Sequence, residues 1–347
     1  MIKKFLLLML SFSVAGAYAQ NDEWFDKNGN ILPKYLDDNG LLSDEYLVDA
    51  YEFTSIDEAL ANPLKVIKLN LGKQDLDEFP TEIVQCHNLH VLDLDSNKLT
   101  SISPEVAMLP NLQYLMLSNN ELTEIPSEIG SLKNLLMLDL SGNRLVSLPE
   151  NVCSLENLQN INLDENKIES LPESIGSMPK LYNLSAMHNR IKELPESIGS
   201  LKLQNLDLSD NLIASLPKTF CNLHTMQICD LHNNALAVLP DNICTMKQLL
   251  FLNLSNNIIT SLPENIGNMA FMRMLDLSKN QISVLPSSVG KLSMIQELDL
   301  SDNNLKTLPK SIGKLTFASS IVLTGNDFSA AEIEKAKKLP NNSSITF

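Results

Sequence analysis

Residues 136–155 read LMLDLSGNRLVSLPENVCSL. Nearly the same phrase stands at 113–132 as QYLMLSNNELTEIPSEIGSL and at 250–269 as LFLNLSNNIITSLPENIGNM. Its asparagine recurs as Asn97, Asn120, Asn143, Asn166, Asn189, Asn211, Asn234, Asn257, Asn280, Asn303 and Asn326. The interval is 23 residues, except for one of 22 between Asn189 and Asn211. Gln74 takes the same place one period earlier, which makes twelve units. A fixed period of this length is the signature of stacked repeats.

Each position in the phrase has a physical reason. The x-L-x-L-x portion alternates with period two, so it reads as a short strand with one face inward. The asparagine carries two donors and an acceptor, and can satisfy backbone groups that a tight turn would bury unpaired. Pro149 and its equivalents suit the first position of a helical turn, with a fixed φ and no N–H to lose. The apolar residue three places on (Ile129, Ile175, Ile198, Ile266, Ile312) then points inward. One unit cannot bury its own apolar edge. Stacking does, with strands paired in parallel ~4.8 Å apart.

On these residues the chain resembles leucine-rich repeat proteins of the 23-residue LPxxIGxL class, as in Ras-suppressor-like repeats, and of a secreted bacterial type. The resemblance runs from Leu64 to Phe328. It implies an α/β solenoid: a curved, right-handed horseshoe of about twelve units, parallel strands on the concave face, short helical turns on the convex face, and a cap at each end. It also implies a general binding scaffold with no cofactor.

The rest of the chain divides around the repeats. Residues 1–19 have the form of a secretory signal peptide: Lys3 and Lys4, an apolar run from Phe5 to Leu10, then Ala17 and Ala19 before Gln20. Gln20 is the expected mature start, in a secreted, periplasmic or cell-surface protein. Residues 20–63 form an acidic N-terminal cap region with 11 Asp+Glu against Lys27 and Lys34, and hold the only tryptophan, Trp24. DKNGN and DDNG read as turns and SIDEALANP as a short helix covering the first unit's open edge. Residues 329–347 form a closing cap. Ser329 and Glu332 stand in capping-box spacing before a helix over about 330–338, with a last strand near Ile345.

The chain has a net charge of −16. That balance argues against nucleic acid and anionic membrane surfaces, which repel it. Beyond residues 1–19 no segment approaches the ~18 apolar residues that membrane insertion needs. No catalytic constellation is legible, and no His, Cys or carboxylate set has metal-ligand spacing. His188 and His232 with Asp164, Asp210 and Asp230 come nearest, and solvated surface histidine is the reading for all five histidines. Cys86 and Cys229 replace core leucines. Cys153, Cys221 and Cys244 replace a small residue, glycine in other units, and are expected to be unpaired. A Cys221–Cys244 bridge would need Cα atoms within ~7 Å.

The outward strand residues carry what specificity the sequence offers. One row runs Lys68, Val91, Tyr114, Met137, Asn160, Asn183, Asn205, Ile228, Phe251, Met274, Glu297 and Ser320. It contains two apolar clusters. Val91, Tyr114 and Met137 form one; Ile228, Phe251 and Met274, with Arg273 beside them, form the other. Exposed apolar clusters with polar rims mark interaction sites. A second row carries Asp93, Asp139, Asp207, Asp230, Asp276 and Asp299. A basic partner would relieve its self-repulsion, although LDLS is also an ordinary phrase of such repeats. The expected function is non-catalytic binding of a protein partner on the concave face. The alternatives are a structural scaffold of an envelope complex and a carbohydrate-binding adhesin. The oligomeric state is left open.

Overall fold

A computed structural model describes residues 22–38, 40–340 and 344–347. The expected signal peptide and Gln20 lie outside the described residues. Fourteen short parallel strands form one curved, unclosed sheet in sequence order. Twelve come from the repeats: β2 (Lys68–Asn70), β3 (Val91–Asp93), β4 (Tyr114–Met116), β5 (Met137–Asp139), β6 (Asn160–Asn162), β7 (Asn183–Ser185), β8 (Asn205–Asp207), β9 (Ile228–Asp230), β10 (Phe251–Asn253), β11 (Met274–Asp276), β12 (Glu297–Asp299) and β13 (Ser320–Val322). The ends add β1 (Glu52–Phe53) and β14 (Ile345–Thr346). Register is strict, so Tyr114 pairs Met137 and Phe251 pairs Met274.

The inward leucines of all the repeats merge into one continuous core from Phe53 to Leu323. Burying each such side chain is worth about 1.5–3 kcal/mol. At each turn the asparagine binds both its own repeat and its neighbours. Asn97 Nδ2 donates to Leu71 O and Leu94 O, each at 2.9 Å, and its Oδ1 accepts from Gln74 N at 3.1 Å and Leu76 N at 3.0 Å. The last of the series, Asn326, donates to Leu300 O at 2.8 Å and accepts from Leu305 N at 2.9 Å. The residue before it is left-handed in all twelve units: Ser96, His188, Asp210 and Asn233 have φ of 52 to 55°. Small polar residues and histidine tolerate that conformation best.

The convex side carries 3-10 turns rather than α-helical ones, such as Ser127–Ser131 and Glu196–Ser200. Gly130 marks how closely they stack: a Cβ there would lie 2.2 Å from Asn151 O. Cys153, Cys221 and Cys244 stand at the equivalent position, and the turns that follow them pack less closely. All five cysteines are free and buried. Burial pushes the Cys86, Cys221 and Cys244 thiols up to about 11.

The two ends are built differently. At the start, α1 (Asp44–Asp49) precedes β1, and α2 (Ile56–Ala61) follows it, N-capped by Ser55, whose Oγ accepts from Glu58 N. At the close, Ser329 Oγ accepts from Glu332 N to cap α3 (Ala330–Ala336). Residues 22–50 form a second small core of Trp24, Ile31, Leu42, Leu47 and Ala50 against Ile67. Trp24, Tyr35 and Tyr46 stack there with ring centroids 5.0–5.9 Å apart. The loop DKNGN expected as a turn is one, and the described residues of DDNG carry the same kind of contact. Asp26 Oδ1 accepts from Asn28 N and Asn30 N, and Asp37 Oδ1 accepts from Leu41 N.

Candidate functional site on the concave face

The strand residues that alternate with the core leucines form parallel rows across the inner surface, spaced by the strand-to-strand distance. Along the first row the chemistry changes four times. Lys68 is buried, and its Nζ donates to Val48 O at 2.9 Å. Val91 and Tyr114 are half-buried because the N-terminal aromatic core packs on them. Met137 is 5% exposed. This corrects the expectation of an open site at Val91, Tyr114 and Met137: the protein's own cap occupies the first two, and the third is packed into the sheet.

The middle of the row is polar and self-satisfied. Asn183 Nδ2 donates to Asn160 Oδ1 at 2.6 Å, and Asn205 Nδ2 donates to Asn183 Oδ1. Past it, Ile228, Phe251 and Met274 are adjacent in register and half-buried, as Val91 and Tyr114 are. The cap does not reach them. Leu250 beside them is half-buried, while Arg273 and Glu297 are exposed. An apolar strip of three side chains with a polar rim therefore lies on β9–β11 outside the cap core.

The acidic row has local work to do. Asp139 Oδ1 accepts from Ser141 N and Oγ at 3.0 and 2.7 Å, and Asp207 does the same with Ser209 at 3.0 and 2.6 Å. Asp276 with Ser278 and Asp299 with Ser301 repeat the pattern. The phrase LDLS thus closes the turn after β5, β8, β11 and β12. Burial raises the Asp139 and Asp207 carboxyls above their ordinary range and pushes Asp164 up to about 6. Asp164 is satisfied by Ser185 Oγ at 2.6 Å and Met187 N at 2.9 Å.

His232 replaces the serine of this pattern, with Nδ1 2.7 Å from Asp230 Oδ1 and Nε2 3.4 Å from Asp210 Oδ2. His188 Nδ1 stands 3.6 Å from the same Asp210 oxygen. Burial alone would lower the His232 pKa; the hydrogen bond to Asp230 and the charges of Asp230, Asp210 and Asp207 outweigh it and raise it. Among the described residues no group of three such side chains is arranged to hold a metal ion.

His90 is not a surface histidine. It is 1% exposed, accepts at Nε2 from Leu42 N at 3.2 Å, and lies at Nδ1 2.7 Å from Asn88 O. Its proton therefore sits on Nδ1, and burial pushes its pKa down to about 4. Sequence reasoning expected a cap over residues 20–63 but missed this anchor and the place on the concave face where the cap packs. The available signal was the spacing of Trp24, Tyr35 and Tyr46, eleven residues apart.

The chain matches the model of the leucine-rich repeat region family over residues 80–190 and 228–339, and a second leucine-rich repeat model over 202–223. It is a leucine-rich repeat protein. No curated protein sequence matches it. Among solved structures, a leucine-rich repeat protein of Leptospira interrogans is similar at 28% identity and a TM-score of 0.55, covering 86% of this chain and 100% of that one. The TDR receptor is similar at 25% identity and a TM-score of 0.72, with 84% of this chain and 53% of that one covered. A plant peptide hormone receptor in complex with its peptide is similar at 24% identity and 0.64, with 78% and 48% covered. The leucine-rich repeat chain described here spans about half the length of those two receptors. Its solenoid neighbours include receptors and protein-binding modules, and the family is typically non-enzymatic. None of its described helices is long and apolar enough to cross a membrane.

Proposed function

We propose that this leucine-rich repeat protein is a secreted, non-catalytic binding protein that engages a protein partner on the C-terminal half of its concave face. Ile228, Phe251 and Met274 are the anchors, with Leu250 and Arg273 beside them. The observation that carries this reading is that the cap's aromatic core packs on Val91 and Tyr114 of this row and includes none of Ile228, Phe251 and Met274. An aromatic flanked by aliphatic side chains with polar residues at the rim is the composition of binding hot spots. A solenoid neighbour binds a peptide hormone, which lends the reading support by analogy.

The non-catalytic part rests on the chemistry of the nucleophiles. A thiol reacts as the thiolate, and burial holds these thiols protonated at neutral pH. A basic partner is less well supported, because the aspartates that suggested it are engaged in turns. The carbohydrate alternative needs aromatic platforms, and Tyr114 is occupied by the cap. Secretion rests on residues 1–19 of the sequence. The test is site-specific photocrosslinking, with a benzophenone amino acid placed at position 251 or at exposed position 146 on the outer turns. Crosslinks to one protein from 251 and none from 146 are expected. Crosslinks to that protein from 146 alone would overturn the reading.

A further inference from the structure

A different surface carries an inference independent of the concave face. The segment leading from each 3-10 turn into the next strand sets one residue on the flank of the solenoid. In the early repeats that residue is an asparagine whose amide ties the repeat to its neighbour. Asn88 donates to Leu64 O at 2.6 Å, Asn111 to His87 O at 2.9 Å, Asn134 to Pro110 O at 2.8 Å and Asn157 to Lys133 O at 2.7 Å. In the last three repeats the same column holds Phe271, Met294 and Phe317, which are 56%, 43% and 74% exposed. A polar ladder with structural work becomes an apolar column with none.

The setting of that column indicates what covers it. Lys291 and Lys314 close the preceding 3-10 turns and are exposed, and Arg273 stands at the start of β11. None of the three forms a salt bridge among the described residues. Between the turn glycines and the strands, residues 267–273, 290–296 and 313–319 contain no acidic side chain. At the other end of the molecule this same flank is already a docking surface. Asn88 donates to Gly29 O at 2.7 Å, and Leu42 N donates to His90, so the acidic cap lies against the first repeats there. The cap carries exposed Asp22, Glu23, Asp38, Glu45 and Asp49, of which Asp22 pairs with Lys65, and an exposed apolar residue, Val48, at 52%. The cap region has a net charge of −9 by its 11 acids and two lysines.

We propose that the Phe271–Met294–Phe317 flank docks the acidic N-terminal cap of a second copy, head to tail. The two patches differ, so the contact is heterologous and repeats along a row instead of closing as a two-fold dimer. Three apolar side chains cover far less than the ~800 Å² per partner of a stable interface, so the association is weak. Charge complementarity makes it fall with ionic strength.

Sedimentation velocity over a concentration series, at low and high salt, tests this. The expected result is a weight-average mass that climbs with concentration at low salt and returns to the monomer at high salt. The pair Phe271→Ser with Phe317→Ser should weaken association about tenfold or more, with an unchanged melt because both rings are exposed. Lys291→Glu with Lys314→Glu should weaken it similarly, and mixing that variant with Glu23→Lys, Glu45→Lys protein should restore it. A protein that stays monomeric at every concentration would overturn the proposal and leave this face to another partner. So would self-association that neither pair of substitutions changes.

Discussion

Tyr114 and Phe251 occupy the same place in the repeat, the first residue of a strand on the concave face, yet they face different surroundings. Tyr114 lies under a second hydrophobic core built by residues 22–50. Phe251 lies between Ile228 and Met274, outside that second core. The flank shows the same division, with an asparagine ladder early and an apolar column late. In a solenoid each repeat contacts only its neighbours. The two halves can therefore serve different ends, one joined to a cap and the other left for partners, without changing the repeat.

The largest expected effect comes from stripping the cap from the early half. Trp24→Ala removes the centre of the aromatic stack, and such a truncation costs about 3–5 kcal/mol. Hydrogen exchange should rise over residues 22–50 and at Val91 and Tyr114 and stay unchanged over β9–β11. A uniform rise along the solenoid would show that the two halves unfold as one.

The pH dependence sharpens the contrast between the cap contact and the mid-solenoid turns. Asp164 is pushed up to about 6 from an ordinary 3.8, so the folded state holds its proton more tightly than the unfolded chain. Its contribution is complete below about pH 4 and is lost as pH rises toward 6. His90 is pushed down to about 4 from 6.5, so its contribution is complete above 6.5 and is lost as pH falls toward 4. Each is worth up to about 3 kcal/mol, and the two slopes oppose. Asp164→Asn should unmask the loss at acid pH, and His90→Gln the loss toward neutral pH. Melting temperatures of both variants that run parallel to the parent's from pH 4 to 7 would refute the pair.

Next in size is the turn ladder, which both halves share. Asn189 Nδ2 donates to Leu163 O at 2.9 Å and its Oδ1 accepts from Ile168 N at 2.9 Å, whereas Lys192 pairs with Glu169 in solvent. Asn189→Ala should cost on the order of 2 kcal/mol, and Lys192→Ala a few tenths. Equal denaturant midpoints would contradict this.

The smallest expected effect bears most on function. Phe251→Ala should weaken partner binding by about 1–2 kcal/mol, through faster dissociation, and leave the melt unchanged. Tyr114→Ala should do the reverse. Unchanged binding with a lowered melting temperature for Phe251→Ala would make that ring packing too.

The repeat was legible because its determinants are local. Period-two apolar residues, a turn asparagine and a proline recur through most of the units, so residues a few places apart specify each strand and turn, and stacking follows from their shared apolar edge. Strand register and the rows of the concave face could be read from spacing alone. The cap's position could not. It depends on contacts such as Leu42 N to His90 Nε2, across 48 residues, made by side chains with no periodic signature in the repeats. The same holds for the acidic row, where only the folded turn shows serine hydroxyls satisfying the aspartates. The sequence by itself determined which side chains enter the core and which face outward. Only the tertiary structure decided which outward side chains meet solvent, because exposure depends on what folds over a surface as well as on which way a residue points.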